Sequence, residues 1–478
     1  MPDLTAAARP APGTPVPGAP APGAPAPGAP APGTPVPLTY EQDWFHTKTR
    51  APGWSHKNVR LGFEVLGDLD TDALLTAVRA FVARHDALHL QLPADPGSRP
   101  RQWTRPLGAA EQVVDCRQVG AASPEQFARY ASALLSRDCV TPWAYGEQRP
   151  FTIRLLRHGA GRHALLATFQ NLVFDGRAHH LFAHEVWRDY EALRRGEPVP
   201  EDAPSFAAAA ARQRAGTTPA QRERALADWR ERLASLARTP WVRPSGAPAG
   251  AGGRLAAELD ARTTVALRRA CQERRLGLLQ WTVGSFVHAL ASRTGRTEVG
   301  LWTSMDSRPS RDRDVVGMFA ASCPLTVTDA GGDADAVRGR VRGLLLNALK
   351  HQRLTAEEIK ALMRETEAEH GAPAGRDVYV NLRRFEGDYA GSRDTGPLRI
   401  TADAYALRRI DITDGHALHL RCSEFRDRLL IGLFFDGQRV DGPLARAVLD
   451  DVLAAAAATA DAAAPSTTGR HHAPRTDR

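Results

Sequence analysis

The sequence predicts an α/β protein whose folded part divides into two comparable lobes. Three observations carry this. Predicted strands and helices alternate along the whole of residues 38–460. A helix-rich segment, 206–236, sits midway along that stretch. And 478 residues, 43% of them hydrophobic and 24% charged, suffice at roughly 100–200 residues per domain for cores that need no disulfide staples.

Taken in order, Arg60–Val65 alternates polar and apolar side chains and reads as a strand. Asp70–Arg84 places Leu74, Val78, Phe81 and Val82 at helical spacing, with Asp70 and Thr71 as caps and Arg84-His85-Asp86 as its structural end. Phe151–Leu156 and Ala164–Phe169 are strands, the second short and buried; a turn and a helix from Arg177 to Arg194 follow. Ala207–Leu236 is helical with a restart near Pro219, because proline tolerates only the first turn of a helix. Gly246–Gly253 is predicted as a flexible loop. Thr263–Cys271 and Leu276–Arg293 are helices, the latter with Val283, Phe286, Val287 and Leu290 on one stripe. Glu298–Thr303 and Ala320–Val327 are strands, Ala334–His351 and Ala356–Glu367 helices. Val378–Asn381, Leu398–Ala402, Leu418–Cys422 and Leu429–Phe435 are strands, and Pro443–Ala457 is the last helix. The expected organisation is an N-terminal lobe over 38–215 and a C-terminal lobe over 216–460, flanked by disordered tails at 1–37 and 461–478.

The first tail holds thirteen of the 35 prolines in a repeat with Pro-Gly steps from Pro12-Gly13 to Pro32-Gly33. Proline removes backbone donors and the tail has almost no bulky apolar side chains, so it reads as a semi-extended tether. The net charge of +8 comes from 62 basic and 54 acidic residues, and only Lys48, Lys57, Lys350 and Lys360 are lysines. The arginines are dispersed, often beside Asp or Glu, which argues against a nucleic-acid partner. Five cysteines (Cys116, Cys139, Cys271, Cys323, Cys422) without a C-x-x-C fit neither a disulfide framework nor a zinc knuckle. There is no apolar signal-peptide core and no apolar run of membrane-spanning length; the alanine stretch at 453–464 is broken by Thr459 and Asp461. The expectation is a cytoplasmic protein with no membrane partner.

Phosphate-loop, G-x-S-x-G and H-E-x-x-H signatures are absent. The most informative segment is Thr168-Phe169-Gln170-Asn171-Leu172-Val173-Phe174-Asp175-Gly176, a strand–turn–helix edge of the kind that often carries sites, with Asp175 next to Gly176, a residue free in φ. Here the chain resembles the condensation-domain family of nonribosomal peptide synthetases, in the chloramphenicol-acetyltransferase-like superfamily, which carries H-H-x-x-x-D-G at this place. Other blocks resemble the family in order: Leu38-Thr39-Tyr40-Glu41-Gln42-Asp43-Trp44-Phe45, Gly67-Asp68-Leu69-Asp70 leading to Arg84-His85-Asp86-Ala87-Leu88, Ser307-Arg308-Pro309, Val316-Gly317-Met318-Phe319, Cys323-Pro324-Leu325 and His351-Gln352-Arg353. The resemblance implies the two-lobed chloramphenicol-acetyltransferase-like fold with a cleft or tunnel between the lobes.

It also implies roles. The family's second motif histidine is its catalytic or substrate-positioning imidazole, and Asn171 stands in its place. An amide cannot take a proton near neutral pH, whereas imidazole, with a reference pKa of about 6.5, can. Asn171 is then either a tuned polar contact or the mark of a dead site. Asp175 and its family partner in the G-R-P turn, here Arg308, are expected to hold the lobe junction; Gln170 replaces a chiefly structural histidine. No histidine has an aspartate four positions on, so a proton acceptor would have to be another residue, His179 or His180 on the following helix. His180 and His184 share the i,i+4 spacing of metal ligands but lack a third, and no metal is expected. Cys323 reads as a small core residue. The resemblance implies a free-standing condensation-type acyltransferase of natural-product biosynthesis. It would join a small amine or alcohol to an acyl thioester on the phosphopantetheine arm of an acyl or peptidyl carrier protein or synthetase module, without a cofactor of its own. The alternative is a catalytically inactive scaffold that docks a synthetase or tailoring enzyme.

Overall fold

The structure is a computed structural model, described for residues 33, 35–49, 58–92, 101–143, 146, 148–241, 251–371, 374–375, 377–385, 389, 392–405 and 415–462. Almost all of both predicted tails, and most of the loop predicted at Gly246–Gly253, lie outside these residues. In chain order the strands are β1 (Pro35–Val36), β2 (Val59–Gly67), β3 (Leu90–Gln91), β4 (Gln102–Thr104), β5 (Val114–Gln118), β6 (Phe151–His158), β7 (Arg162–Phe169), β8 (Gly253–Leu259), β9 (Val299–Asp306), β10 (Ala320–Val327), β11 (Val378–Arg384), β12 (Ser392–Asp394), β13 (Leu398–Ala402), β14 (Leu418–Glu424) and β15 (Leu429–Phe435). The helices are α1 (Tyr40–Thr49), α2 (Thr71–Arg84), α3 (Pro124–Val140), α4 (Gly176–Arg194), α5 (Phe206–Ala215), α6 (Pro219–Ala237), α7 (Ala261–Glu273), α8 (Leu278–Thr294), α9 (Ala334–Lys350), α10 (Ala356–His370) and α11 (Gly442–Asp461).

Local chemistry sets the helix starts. Asp70 caps α2 by accepting from the Ala73 amide at 3.0 Å. The predicted restart near Pro219 is a true break: α5 ends, and Thr218 opens α6 in a capping box with Gln221 and Pro219 in the first turn. At Arg84-His85-Asp86, Arg84 pairs with Asp189 at 2.6 Å and with Glu185 at 2.5 Å. Asp86 meanwhile accepts from Ser205 Oγ (2.6 Å) and the Phe206 amide (2.7 Å), fastening the start of α5.

Two six-stranded sheets organise the molecule, in the orders β12-β13-β2-β7-β6-β5 and β10-β9-β11-β14-β15-β8. On the first, α2 and α4 bury Phe63, Phe81, Phe169, Phe182 and Trp187, each less than 2% exposed. Truncating such an aromatic costs about 3–5 kcal/mol. On the second, Phe286, Leu290, Leu301, Leu420, Leu433 and Val448 form a separate core.

The lobes exchange parts. β12 and β13, from the C-terminal portion of the chain, complete the edge of the first sheet, with Ile400 opposite Val65 and Leu398 opposite Gly67. Gly67 has φ +117°, and a Cβ there would run into the Pro397 carbonyl, so this close approach requires glycine. The dividing line after residue 215 does not anticipate this contribution. Conversely Trp44 of α1 packs with Trp229, Trp302 and Leu354 of the second lobe. The loop after β9 sends Val315, Val316 and Phe319 into the first core. Pro35–Val36, expected within the disordered tail, pairs with β4. Among the described residues no helix is long and apolar enough to cross a membrane.

Candidate functional site

The β7–α4 turn is anchored by three consecutive apolar side chains. Leu172, Val173 and Phe174 are fully buried, Phe174 stacking on Phe169 with centroids 3.9 Å apart. The Leu172 carbonyl accepts from Gln42 Nε2 at 2.6 Å, and the Val173 amide donates to the Gln170 carbonyl at 3.1 Å. With its neighbours anchored, Asn171 is left partly exposed on the wall of a cavity of about 570 Å³.

Asp175 ends the turn and caps α4. Its Oδ1 accepts from the amides of Arg177 and Ala178, both at 3.0 Å. The Arg308 guanidinium grips both oxygens, Nη1 to Oδ2 at 2.7 Å and Nη2 to Oδ1 at 2.8 Å, and the Phe319 amide adds a bond to Oδ2 at 2.9 Å. Both side chains are almost wholly buried. Forked arginine–carboxylate geometry is the strong form of such a contact, and here it ties a helix of the first lobe to a loop of the second. Burial pulls the Arg308 guanidinium down, but the charge and hydrogen bonds of Asp175 outweigh it and hold it above its ordinary value.

Of the residues singled out in the sequence, Asn171, Asp175, Gly176, Arg308 and His179 all line this cavity. Gly176 does not use its freedom in φ; its backbone is not left-handed, and a Cβ added there would meet nothing within 4 Å. Gln170 is buried, its backbone amide donating to the Pro150 carbonyl at 2.9 Å, and it does not line the cavity. His180, expected to act as an alternative proton acceptor, also lies outside the lining: on α4 it faces a separate small pocket that Leu61, Phe63 and Tyr389 share. One helical residue is about 100° of rotation, so it is His179, not its successor, that reaches the cavity. Burial, then the charge of Arg383, pushes the His179 imidazole well below its ordinary pKa, so it is neutral at pH 7. Cys323 is fully buried, its thiol pushed up to about 12 by burial, and Ser322 beside it faces the cavity instead.

The opposite wall was not read from the sequence. It is one face of the second sheet. Along the first part of β11, Val378 and Val380 point into the core while Tyr379 and Asn381 line the cavity, and the strand's end, Leu382 to Arg384, borders it as well; along β14, Leu418, Leu420 and Cys422 are core while His419 and Arg421 line it. The strands run parallel with Tyr379 opposite His419 and Asn381 opposite Arg421. Tyr379 Oη lies 2.6 Å from Ser304 Oγ, and its ring stacks on His416 at 4.8 Å. The available signal was this period-two polar–apolar alternation, which marks a sheet with one wet face. Among the described residues no group of three or more His, Cys, Asp or Glu is placed to hold a metal.

Comparison with known proteins agrees with this geometry. The family profile described as "Condensation domain" matches residues 34–379. Among curated relatives, the probable non-canonical nonribosomal peptide synthetase CymA of Salinispora arenicola is 26% identical over 333 residues, 66% of this chain and 4% of that protein. Phosphinothricin tripeptide synthetase PhsC of Streptomyces viridochromogenes is 29% identical over 333 residues, 64% of this chain and 29% of that one. The chain thus spans only a small part of the synthetases it matches. Among solved structures, the first condensation domain of the calcium-dependent antibiotic synthetase superposes with a TM-score of 0.69 at 21% identity, covering 91% of this chain and 98% of that one. SgcC5 of Streptomyces globisporus superposes with a TM-score of 0.66 at 20% identity, covering 89% and 98%. With the two-lobed α/β fold, the ordered blocks and the profile match in agreement, the chain belongs to the condensation-domain family.

Proposed function

We propose that this protein joins a small amine or alcohol to an acyl group delivered as a thioester on the phosphopantetheine arm of a carrier protein or synthetase module. The observation that carries the reading is the Asp175–Arg308 clamp, which fixes Asn171 on the wall of a cavity that both lobes enclose. The acceptor nitrogen or oxygen forms its bond to the thioester carbon, the C–S bond breaks, and the acceptor proton ends on the departing thiol. Asn171 takes no proton. Its amide NH₂ donates to the developing oxyanion, or its carbonyl accepts from the nucleophile and orients it. Losing a general base forfeits typically about 10²–10⁴-fold, while positioning two reactants in one cavity is kept. No metal or organic cofactor is assigned to the site. The diol bound to SgcC5 supports keeping alcohols beside amines as acceptors.

The test is product formation from a carrier-bound donor with amine and alcohol acceptors, using wild type, Asn171→Ala and Asn171→His. Wild type is expected to form product and Asn171→Ala to lose most of it. Wild type and Asn171→Ala equally inert, with carrier binding retained, would replace this reading by that of a docking scaffold.

A further inference from the structure

We propose that the cavity contains an anion subsite, built on Arg383 with Arg421 beside it, that takes the free carboxylate of the acceptor. The inference rests on the acyl-transfer reading above and names the class of acceptor. Arg383 projects from β11 into the cavity, two positions beyond Asn381, whose register partner on β14 is Arg421. Its polar contact is the neutral Ser423 hydroxyl, reached by Nη2 at 2.8 Å, and its buried Nε has no hydrogen-bond acceptor among the described residues.

Among the described residues, the carboxylates around this wall are already engaged. Asp175 and Asp306 are held by Arg308. Glu41 accepts from Gln213 Nε2 at 2.8 Å and Ser307 Oγ at 2.7 Å. Asp403 pairs with Arg60 at 2.9 Å. The next residue, Arg384, also borders the cavity but is paired with Glu424 at 2.7 Å. Arg383 has no carboxylate within ion-pair reach among the described residues. Burial, then the charge of Arg421, pushes its guanidinium down to about 9, which still leaves it cationic at neutral pH.

Arg383 is partly buried, and the carboxylate whose charge acts on it, Asp403, is shared with Arg60. Such a guanidinium is incompletely compensated, and a bound anion relieves that cost. A guanidinium fork matches the two oxygens of a carboxylate. The phosphate of a pantetheine arm is the other anion this reaction brings. It is attached at the carrier's surface and belongs at the mouth of the cavity rather than against the inner sheet.

The experiment is ligand-observed NMR titration of the full chain with the proteinogenic amino acids, each as free acid and as primary amide, and with pantetheine 4′-phosphate. It is run on wild type, Arg383→Gln and Arg383→Lys. At least one acid should bind wild type ten-fold or more tighter than its amide. Arg383→Gln should abolish that preference and Arg383→Lys keep part of it, with Arg383→Gln melting at or above wild type because an incompletely compensated charge is gone. The inference is overturned if no acid is preferred over its amide, or if the preference survives in Arg383→Gln. It is equally overturned if Arg383→Gln loses only pantetheine phosphate, or melts well below wild type. Binding is read without turnover, so the two readings fail separately. Acid binding without product sinks acyl transfer alone; product formed equally from acids and amides sinks the subsite alone.

Discussion

Asp175 and Arg308, 133 positions apart in the chain, meet in a forked ion pair at 2.7 and 2.8 Å, and the carboxylate also caps α4 and receives the Phe319 amide. One carboxylate therefore sets the start of a helix and the seat of the loop that enters the opposite core. Asp175→Ala leaves a guanidinium buried without its partner, and breaking such a pair costs about 3–5 kcal/mol. Urea denaturation of Asp175→Ala should show a loss of that size. The double variant Asp175→Ala/Arg308→Ala should lose clearly less than the sum of the two single changes.

Gly317 lies in the same loop, within Val316-Gly317-Met318-Phe319. A Cβ at this position would overlap the ring of Phe206, which is fully buried in the first core. Gly317→Ala should therefore destabilise by about 1–3 kcal/mol, the usual cost of overpacking. Thermal melts with and without Phe206→Leu check it: the smaller side chain should recover part of the loss.

Acid should weaken the fold at Glu185. Burial alone would raise this carboxyl, but the hydrogen bond with His85 and the charge and hydrogen bonds of Arg84 hold it at about 2. Its folded pKa lies below the unfolded one, so its contribution, about 3 kcal/mol, is present above pH 4.5 and is lost as pH falls toward 2. Glu185→Gln should be less stable at pH 7, and its deficit should shrink steadily between pH 4.5 and 2 in urea titrations.

His179 acts in a higher window. Its imidazole is depressed below 6.5 by burial and then by Arg383, so the unfolded chain binds a proton that the folded one does not. Stability should fall as pH drops below 6.5. His179→Asn should flatten that slope between pH 6.5 and 5, measured as urea midpoints at several pH values.

How much of this the sequence announced differs by region. Strands Ala320–Val327, Leu398–Ala402 and Leu429–Phe435 match residue for residue, the last because it is an apolar run and Leu398–Ala402 because apolar residues alternate with Arg399 and Thr401. The turn into α4 was legible from the strand and helix on either side of it, but the Asp175–Arg308 pair came from motif resemblance, since a contact over 133 positions leaves no local trace. Helix α3 was missed although readable: Ser123 caps it, Pro124 opens it, and Phe127, Ala131, Leu134 and Leu135 share a face. β8 was not readable, because its Arg254–Leu259 alternation is weakly apolar and it is a strand through pairing with β15. The choice of His179 over His180 depended on helix phase against a wall made by another lobe. The cavity face of β11 and β14 was visible only as alternation whose polar half gains meaning once Asn171 faces it.

Acyl transfer at Asn171 is tested most sharply by intact-protein mass measurement on acyl-loaded carrier proteins, incubated with acceptor and either wild type or Asn171→Ala. Wild type should strip the acyl mass from a carrier as product appears, while Asn171→Ala leaves the carrier acylated. An acyl mass untouched by wild type, or removed equally well by Asn171→Ala, would refute acyl transfer at this site.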